Sequence, residues 1–122
     1  MLILLTSALV GEMPGEASGE TIQATITSYF CDYIPGYFKG DGGGYCNAMA
    51  SGYLPFEGAA ACGSYYALYT WVWIYALDRW VICLDRGYLG ATQIDVFYQT
   101  NKDLEESGVL GVGYSVVWVV RP

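Results

Sequence analysis

Alternating and continuous apolar runs dominate this chain, and they predict strands. Residues 21–30 alternate between polar and apolar positions and are rich in Thr and Ile. Residues 70–75 and 80–84 are unbroken runs of β-branched and aromatic side chains, and residues 77–79 between them predict a turn. Two further strands are predicted at residues 93–98 and 113–120.

One short helix interrupts this pattern at residues 100–108. Thr100 or Asn101 can cap its start, acidic residues fill its first turns, and Gly108 can end it. Residues 31–46 are rich in Gly and Asp and predict a loop, because the GDGGG run at 40–44 cannot hold regular structure cheaply. Together these elements predict a small all-β barrel with one short helix.

The chain divides into an N-terminal arm and one domain. Residues 1–10 (MLILLTSALV) are apolar, and residues 11–20 form a Gly/Pro/Glu linker, so the arm and linker cover 1–20 and the barrel covers 21–122. The arm is too short to span a bilayer, and no Lys or Arg precedes it, unlike the start of a signal peptide. We expect an extended arm that packs on its own barrel or on a neighbouring subunit, and no membrane span.

Charge is scarce in this chain and limits the classes of partner. Apolar residues make up 54% and charged residues 14%, compared with roughly 25% charged in ordinary soluble domains. The net charge of −7 disfavours binding to nucleic acid through phosphates. Because a small domain cannot bury so many aromatic side chains, the composition favours an aromatic binding face or a homo-oligomer.

The chain contains no His, which restricts its chemistry. A His base, a Ser-His triad and His metal ligands are excluded, so Asp, Glu, Tyr or Lys would have to carry acid–base chemistry. Asp41 among glycines offers too few oxygen ligands for Ca²⁺. We therefore expect no metal and no cofactor.

Four cysteines indicate the compartment. Cys31, Cys46, Cys62 and Cys83 form no C-x-x-C pair, which disfavours a zinc ribbon. Two disulfides, with three possible pairings, fit an oxidising extracellular or cell-envelope location, while buried free thiols are the alternative. A Cys31–Cys46 bridge would close the Gly-rich loop and contribute about 3 kcal/mol.

Two acids are the candidate catalytic residues. Asp85 stands where an apolar run meets a Gly-containing turn, and Asp95 lies inside the next apolar run. Two carboxylates at the edges of adjacent strands are what a glycan-cleaving site needs. The alternatives are a turn-capping role for Asp85 and a hydrogen-bonding role for Asp95.

The order of motifs resembles a known family. Asp85-Arg86-Gly87 followed by 94–97 (IDVF) looks like a D-[TR]-G-G…I-D-[VF]-F pattern, residues 49–52 (MASG) look like a T-A-x-G turn, and residues 67–70 (ALYT) stand where P-L-G-T is usual. Over residues 22–120 the chain is similar to the 3D (three-aspartate) domain of bacterial cell-wall proteins. That domain is a six-stranded double-psi β-barrel shared with MltA lytic transglycosylases and related to RlpA-like proteins, expansins and barwin-like endoglucanases.

The resemblance implies roles and also shows departures. It implies that Asp95 is the general acid and then the base of a lytic transglycosylase, with Asp85 in support. The third family aspartate is replaced by Cys62, the second Gly of D-x-G-G by Tyr88, and the Gly of P-L-G-T by Tyr69. Because the position of Cys62 lies near the D-x-G-G strand in the family, the resemblance also implies a Cys62–Cys83 disulfide.

Aromatic and basic residues near these motifs are the substrate-binding candidates: Tyr66, Tyr69, Trp71, Arg86 and Tyr88. Aromatic rings can stack on sugars in a groove, or they can fill the barrel or a contact between subunits.

Two functions follow from the sequence. The first is a peptidoglycan-directed barrel, either an enzyme or a binder. The second is a non-catalytic structural subunit that self-assembles through its arm into an extracellular filament, a surface layer or a phage particle.

Overall fold

The structure is a computed structural model that describes residues 19–34, 37–40 and 48–122. In chain order its elements are β1 (Glu20–Ile34), β2 (Tyr37–Gly40), β3 (Ala59–Cys62), β4 (Trp71–Ile74), β5 (Arg79–Asp85), β6 (Ile94–Tyr98), α1 (Asn101–Glu106) and β7 (Tyr114–Val120). Short 3₁₀ turns lie at Tyr75–Leu77 and Val109–Gly111. The predicted arm at residues 1–10 lies outside the described residues, as does the linker up to residue 18.

Six of the strands close a barrel in the order β1–β6–β3–β5–β4–β7, and β7 pairs again with β1. The β1–β6 and β3–β5 pairs are parallel, whereas the other four pairs are antiparallel. This set of pairings is unchanged when β1, β3 and β4 are exchanged with β5, β6 and β7. The barrel therefore consists of two interlocked three-strand units, the double-psi arrangement, and the predicted six-stranded all-β fold with one short helix is confirmed.

The barrel interior is filled by alternate strand residues. In β6, Ile94 and Val96 are fully buried in the core, while Asp95 between them faces outward and is half-buried. In β1, Ala24 and Ile26 point inward in the same way. Each fully buried Ile or Val side chain contributes about 1.5–3 kcal/mol to the free energy of folding. The two-residue period therefore fixes which face of every strand meets the core.

The short helix begins as predicted. The Thr100 hydroxyl accepts a hydrogen bond from the Asp103 backbone N–H at 3.0 Å, which satisfies one of the free donors of the first turn. Gly108 follows the helix with φ of 83°, in the left-handed region that favours glycine. Leu104 of α1 is buried and joins the barrel core.

The predicted loop at 31–46 is partly wrong. β1 continues through Cys31 to Ile34 and pairs antiparallel with β2, so residues 31–34 and 37–40 form a hairpin. Extended backbone pairing thus overrides the Gly and Asp composition there. Residues 41–47, which include most of the GDGGG run and Cys46, lie outside the described residues.

A polar clasp joins the first strand to the last residues. The Tyr65 hydroxyl donates to Glu20 Oε1 at 2.7 Å, and Arg121 forms a salt bridge with the same oxygen. The Arg121 guanidinium also lies 5.4 Å from the centre of the Tyr65 ring. The hydrogen bond from Tyr65 and the contacts of Arg121 hold the pKa of Glu20 below its usual value.

One disulfide links two parallel strands. Cys62 of β3 and Cys83 of β5 are bonded, with Cα atoms 5.6 Å apart, and both are fully buried. This confirms the pairing that the family resemblance implied. Cys31 is also disulfide-bonded, and its expected partner, Cys46, lies outside the described residues. The alternative of buried free thiols is therefore wrong for Cys31, Cys62 and Cys83.

Candidate functional site

The two candidate acids lie in one row on the outer surface of the barrel. Ala61 of β3 is in register with Asp95 on one side and with Asp85 on the other. Thr27 of β1 extends the row beyond Asp95. Since adjacent strands lie about 4.8 Å apart, the Cα atoms of the two acids are separated by roughly two strand spacings, with the small Ala61 side chain between them.

A chain of directed hydrogen bonds holds Asp95. The Thr27 hydroxyl donates to Asp95 Oδ1 at 2.7 Å, and Gln93 Nε2 donates to Thr27 Oγ1 at 3.0 Å. The Gly90 backbone N–H donates to Gln93 Oε1 at 2.9 Å. Asp95 is half-buried on the outer face, and these contacts show the hydrogen bonding that the sequence allowed for it.

Asp85 is held by backbone donors. Its Oδ1 accepts hydrogen bonds from the N–H groups of Ala50 and Arg86, each at 2.8 Å. The Ala50 contact anchors the predicted turn, in which Gly52 N–H donates to the Met49 carbonyl at 2.8 Å. Asp85 therefore has the turn-capping role that the sequence allowed, and it acts on the site by fixing this turn rather than by reaching toward Asp95.

Arg86 secures the end of β3. Its Nη1 donates to the carbonyls of Cys62 and Gly63, at 3.1 and 3.0 Å. The guanidinium thus lies at the end of the strand that separates the two acids. This places a positive charge near the row, where it can bind a ligand oxygen as well as hold the backbone.

Position 62 holds a half-cystine and no carboxylate. Cys62 points into the core and is consumed by its bond to Cys83, while the adjacent Ala61 faces outward. Both candidate acids are half-buried: a threonine side chain binds Asp95, whereas backbone N–H groups of a turn bind Asp85.

An aromatic groove borders the Asp85 end of the row. It has a volume of about 340 Å³ and is lined by Tyr53, Phe56, Tyr69, Trp71, Ile82 and Leu84. Leu84 connects the groove directly to Asp85. Its lining is almost entirely apolar, and Tyr53 is 58% exposed at its rim. A groove of this size and lining fits a flat apolar ring face.

Tyr69 enters this groove from a strained backbone. Its φ is 73°, in the left-handed region that a bulky residue rarely adopts, and its N–H donates to the Cys83 carbonyl at 2.7 Å. Such a conformation costs of order 1 kcal/mol relative to glycine. The fold thus holds the Tyr69 ring at the groove, 45% exposed, against a local preference.

The remaining candidates lie apart from the groove. Tyr66 is 1% exposed and donates to the Thr92 carbonyl at 2.7 Å, and burial raises the pKa of its hydroxyl. The prediction that Tyr66 contacts the substrate is therefore wrong, because Tyr66 is a core residue. Tyr88 extends fully into solvent on the turn after Arg86.

Sequence reasoning missed four residues of this surface. Tyr53 and Phe56 come from a turn with no periodic pattern, so nothing in the sequence places them beside Trp71. Gln93 shares a face with Asp95 because it precedes it by two positions. Thr27 lies on a strand far away in sequence, and only the parallel β1–β6 register brings it to Asp95.

Comparison with known proteins adds no family. No protein-family model matches the chain, and no curated protein matches it. In the part of the chain that the structure describes, no helix has the length and apolar character to cross a bilayer. Among the same residues, no group of three or more Cys, Asp or Glu side chains is arranged to hold a metal ion.

Proposed function

We propose that this barrel acts on cell-wall glycan and cleaves peptidoglycan as lytic transglycosylases do, with Asp95 as the acid and base. The observation that supports it most is the outward placement of Asp95, half-buried and held by Thr27, on the same surface as an aromatic groove. The disulfide suits secretion to the cell envelope or the extracellular space. The family resemblance of the sequence points the same way.

The reaction needs only one titrating carboxyl group. Asp95 protonates the glycosidic oxygen as the bond from C1 breaks, and the resulting carboxylate then takes the proton of the sugar's own C6 hydroxyl as that oxygen bonds to C1. No water is consumed and the product is an anhydro sugar. The Arg86 side chain and the groove side chains of Tyr69 and Trp71 bind the glycan chain on either side of Asp85.

The test is digestion of purified peptidoglycan by the wild type and by Asp95→Asn. We expect anhydro-muropeptides from the wild type and at least a ~100-fold loss of release in the variant, because the amide keeps the Thr27 contact but cannot carry the proton. Mass spectrometry of the soluble fragments measures this. Equal release by both proteins, or none by the wild type, contradicts the proposal.

A binding assay provides the matched control. Asp95→Asn should still sediment with peptidoglycan, since the groove is untouched. Tyr69→Gly should lose sedimentation without melting at a lower temperature, because glycine relieves the left-handed strain while removing the ring. If Tyr69→Gly binds as the wild type does, the groove is not the glycan subsite.

A second candidate function is self-assembly, and the outer aromatic surface supports it. The Trp80 ring lies edge-to-face with two others, with its centroid 6.3 Å from that of Trp71 and 5.6 Å from that of Trp73. All three tryptophans are only half-buried. Such partly exposed tryptophans are typical of the centre of protein interfaces.

Sedimentation velocity over a range of concentrations tests self-assembly. If the chain assembles through its arm, we expect species larger than the 13.3 kDa monomer and their loss on deletion of residues 1–12. Assembly that survives the deletion would assign the contact to the tryptophans instead of the arm. A monomer at every concentration would exclude the structural role.

A further inference from the structure

The hydrogen bonds behind Asp95 form a chain with a fixed direction. The Gly90 backbone N–H can only donate, so the Gln93 side chain must turn its Oε1 toward it. The opposite amide orientation would bring two N–H donors together at Gly90 and would turn the amide oxygen, an acceptor, toward Thr27. The backbone therefore decides that Gln93 presents its Nε2 to Thr27.

This orientation decides what Thr27 does with its single proton. Because Thr27 Oγ1 accepts from Gln93 Nε2 at 3.0 Å, its hydroxyl proton is left for Asp95 Oδ1 at 2.7 Å. Oδ1 is thus an acceptor whether the Asp95 carboxyl group is ionised or protonated.

We propose that Thr27 and Gln93 are positioning residues that fix the Asp95 carboxyl group through its Oδ1 atom. The proposal deepens the proposed function and rests on it for its catalytic meaning. In the first step the carboxyl O–H bond of Asp95 breaks and the leaving glycosidic oxygen takes the proton. In the second, the carboxylate takes the proton of the C6 hydroxyl as the C6 oxygen bonds to C1, which restores the starting acid.

The first arm of the test measures geometry without activity. Three-bond couplings between the Asp95 carboxyl carbon and its backbone nitrogen and carbonyl carbon report the χ1 rotamer in the 13.3 kDa protein. We expect one rotamer in the wild type, averaging in Thr27→Val, and recovery of the single rotamer in Thr27→Ser. Valine keeps the shape of threonine but removes the hydroxyl, which is both the donor to Asp95 and the acceptor from Gln93, and serine restores both.

Gln93→Glu tests the direction of the chain. A glutamate of almost the same size accepts from Gly90 with one oxygen and from Thr27 with the other, so it draws the Thr27 proton away from Asp95. We expect the same rotamer averaging as in Thr27→Val. An unchanged Asp95 rotamer in both Thr27→Val and Gln93→Glu would overturn the proposal, and an unchanged rotamer in Gln93→Glu alone would remove Gln93 from it.

The second arm measures turnover on peptidoglycan. Thr27→Val should lower kcat by about 10- to 100-fold with KM within about twofold, and Thr27→Ser should restore most of it. A rise in KM at unchanged kcat would assign Thr27 to substrate binding and overturn positioning. If the wild type releases nothing, the proposed function fails, while the coupling measurements still decide whether Thr27 and Gln93 hold Asp95.

Discussion

Replacing Cys62 and Cys83 together by alanine is expected to lower the free energy of unfolding by about 3 kcal/mol from chain entropy. The bond closes a segment with a sequence separation of 21, and both half-cystines are fully buried. The loss of the two buried sulfur atoms adds roughly 1 kcal/mol through the cavity left behind. For a domain of this size the sum corresponds to a fall in Tm of about 15 °C.

Urea unfolding followed by tryptophan fluorescence measures this change. A double variant is better than a reducing agent, because Cys31 is also disulfide-bonded and reduction would act on both bonds. Val72→Ala, a fully buried core change with no cross-link, gives the cavity contribution alone. If the double cysteine variant unfolds no more easily than Val72→Ala, the bond does not stabilise the barrel.

This disulfide also leaves no carboxylate at position 62, because the side chain there points inward and is bonded to Cys83. A carboxylate at that buried position would have to be desolvated, which is costly. Asp95 must be positioned by other groups, and Thr27 and Gln93 are two that lie in its hydrogen-bonded chain.

The sequence predicted the strands that carry β-branched and aromatic runs, and it did so for a physical reason. In β6 the side chains of Ile94 and Val96 alternate with Asp95, so the two-residue period alone turns the acid outward. The start of α1 at Thr100 and the left-handed glycine that follows it, Gly108, could also be predicted, because both act on their nearest neighbours in the chain. Local patterns of this kind depend on residues that are adjacent in the chain.

The rest of the site depends on pairings between distant segments. β3 (Ala59–Cys62) is made of small residues with little preference for strands, and its burial on both sides allows it to form. Only its double register, with Asp85 in β5 and Asp95 in β6, sets the distance between the acids. No spacing within the sequence contains that distance, because three separate segments determine it.

A second large loss of stability is expected at Gly63, the glycine that follows β3. Gly63→Ala is expected to destabilise the fold by about 3 kcal/mol, because a Cβ there would lie 1.9 Å from the Gly90 carbonyl oxygen and 2.4 Å from that of Ala91. Both are backbone atoms and cannot rotate away. The surrounding hydrogen bonds, including Gly63 N–H to the Gln93 carbonyl at 2.9 Å, hold the two segments at this separation.

Thermal unfolding of Gly63→Ala beside Gly87→Ala measures the effect. An added Cβ at Gly87 meets only the Leu89 side chain, at 3.7 Å. That variant should therefore stay within about 0.5 kcal/mol of the wild type, as surface substitutions usually do. Equal melting temperatures of the two alanine variants would show that residues 90 and 91 can move aside with no loss of stability.

The same substitution links stability to the site. Relief of the Gly63 clash must move the Gly90–Gln93 turn outward, and that turn supplies the N–H that orients the Gln93 amide. A Gly63→Ala protein that still folds should therefore lose the single Asp95 rotamer even though no residue in contact with Asp95 has changed. Because Gly87→Ala leaves this turn in place, its Asp95 couplings should match those of the wild type.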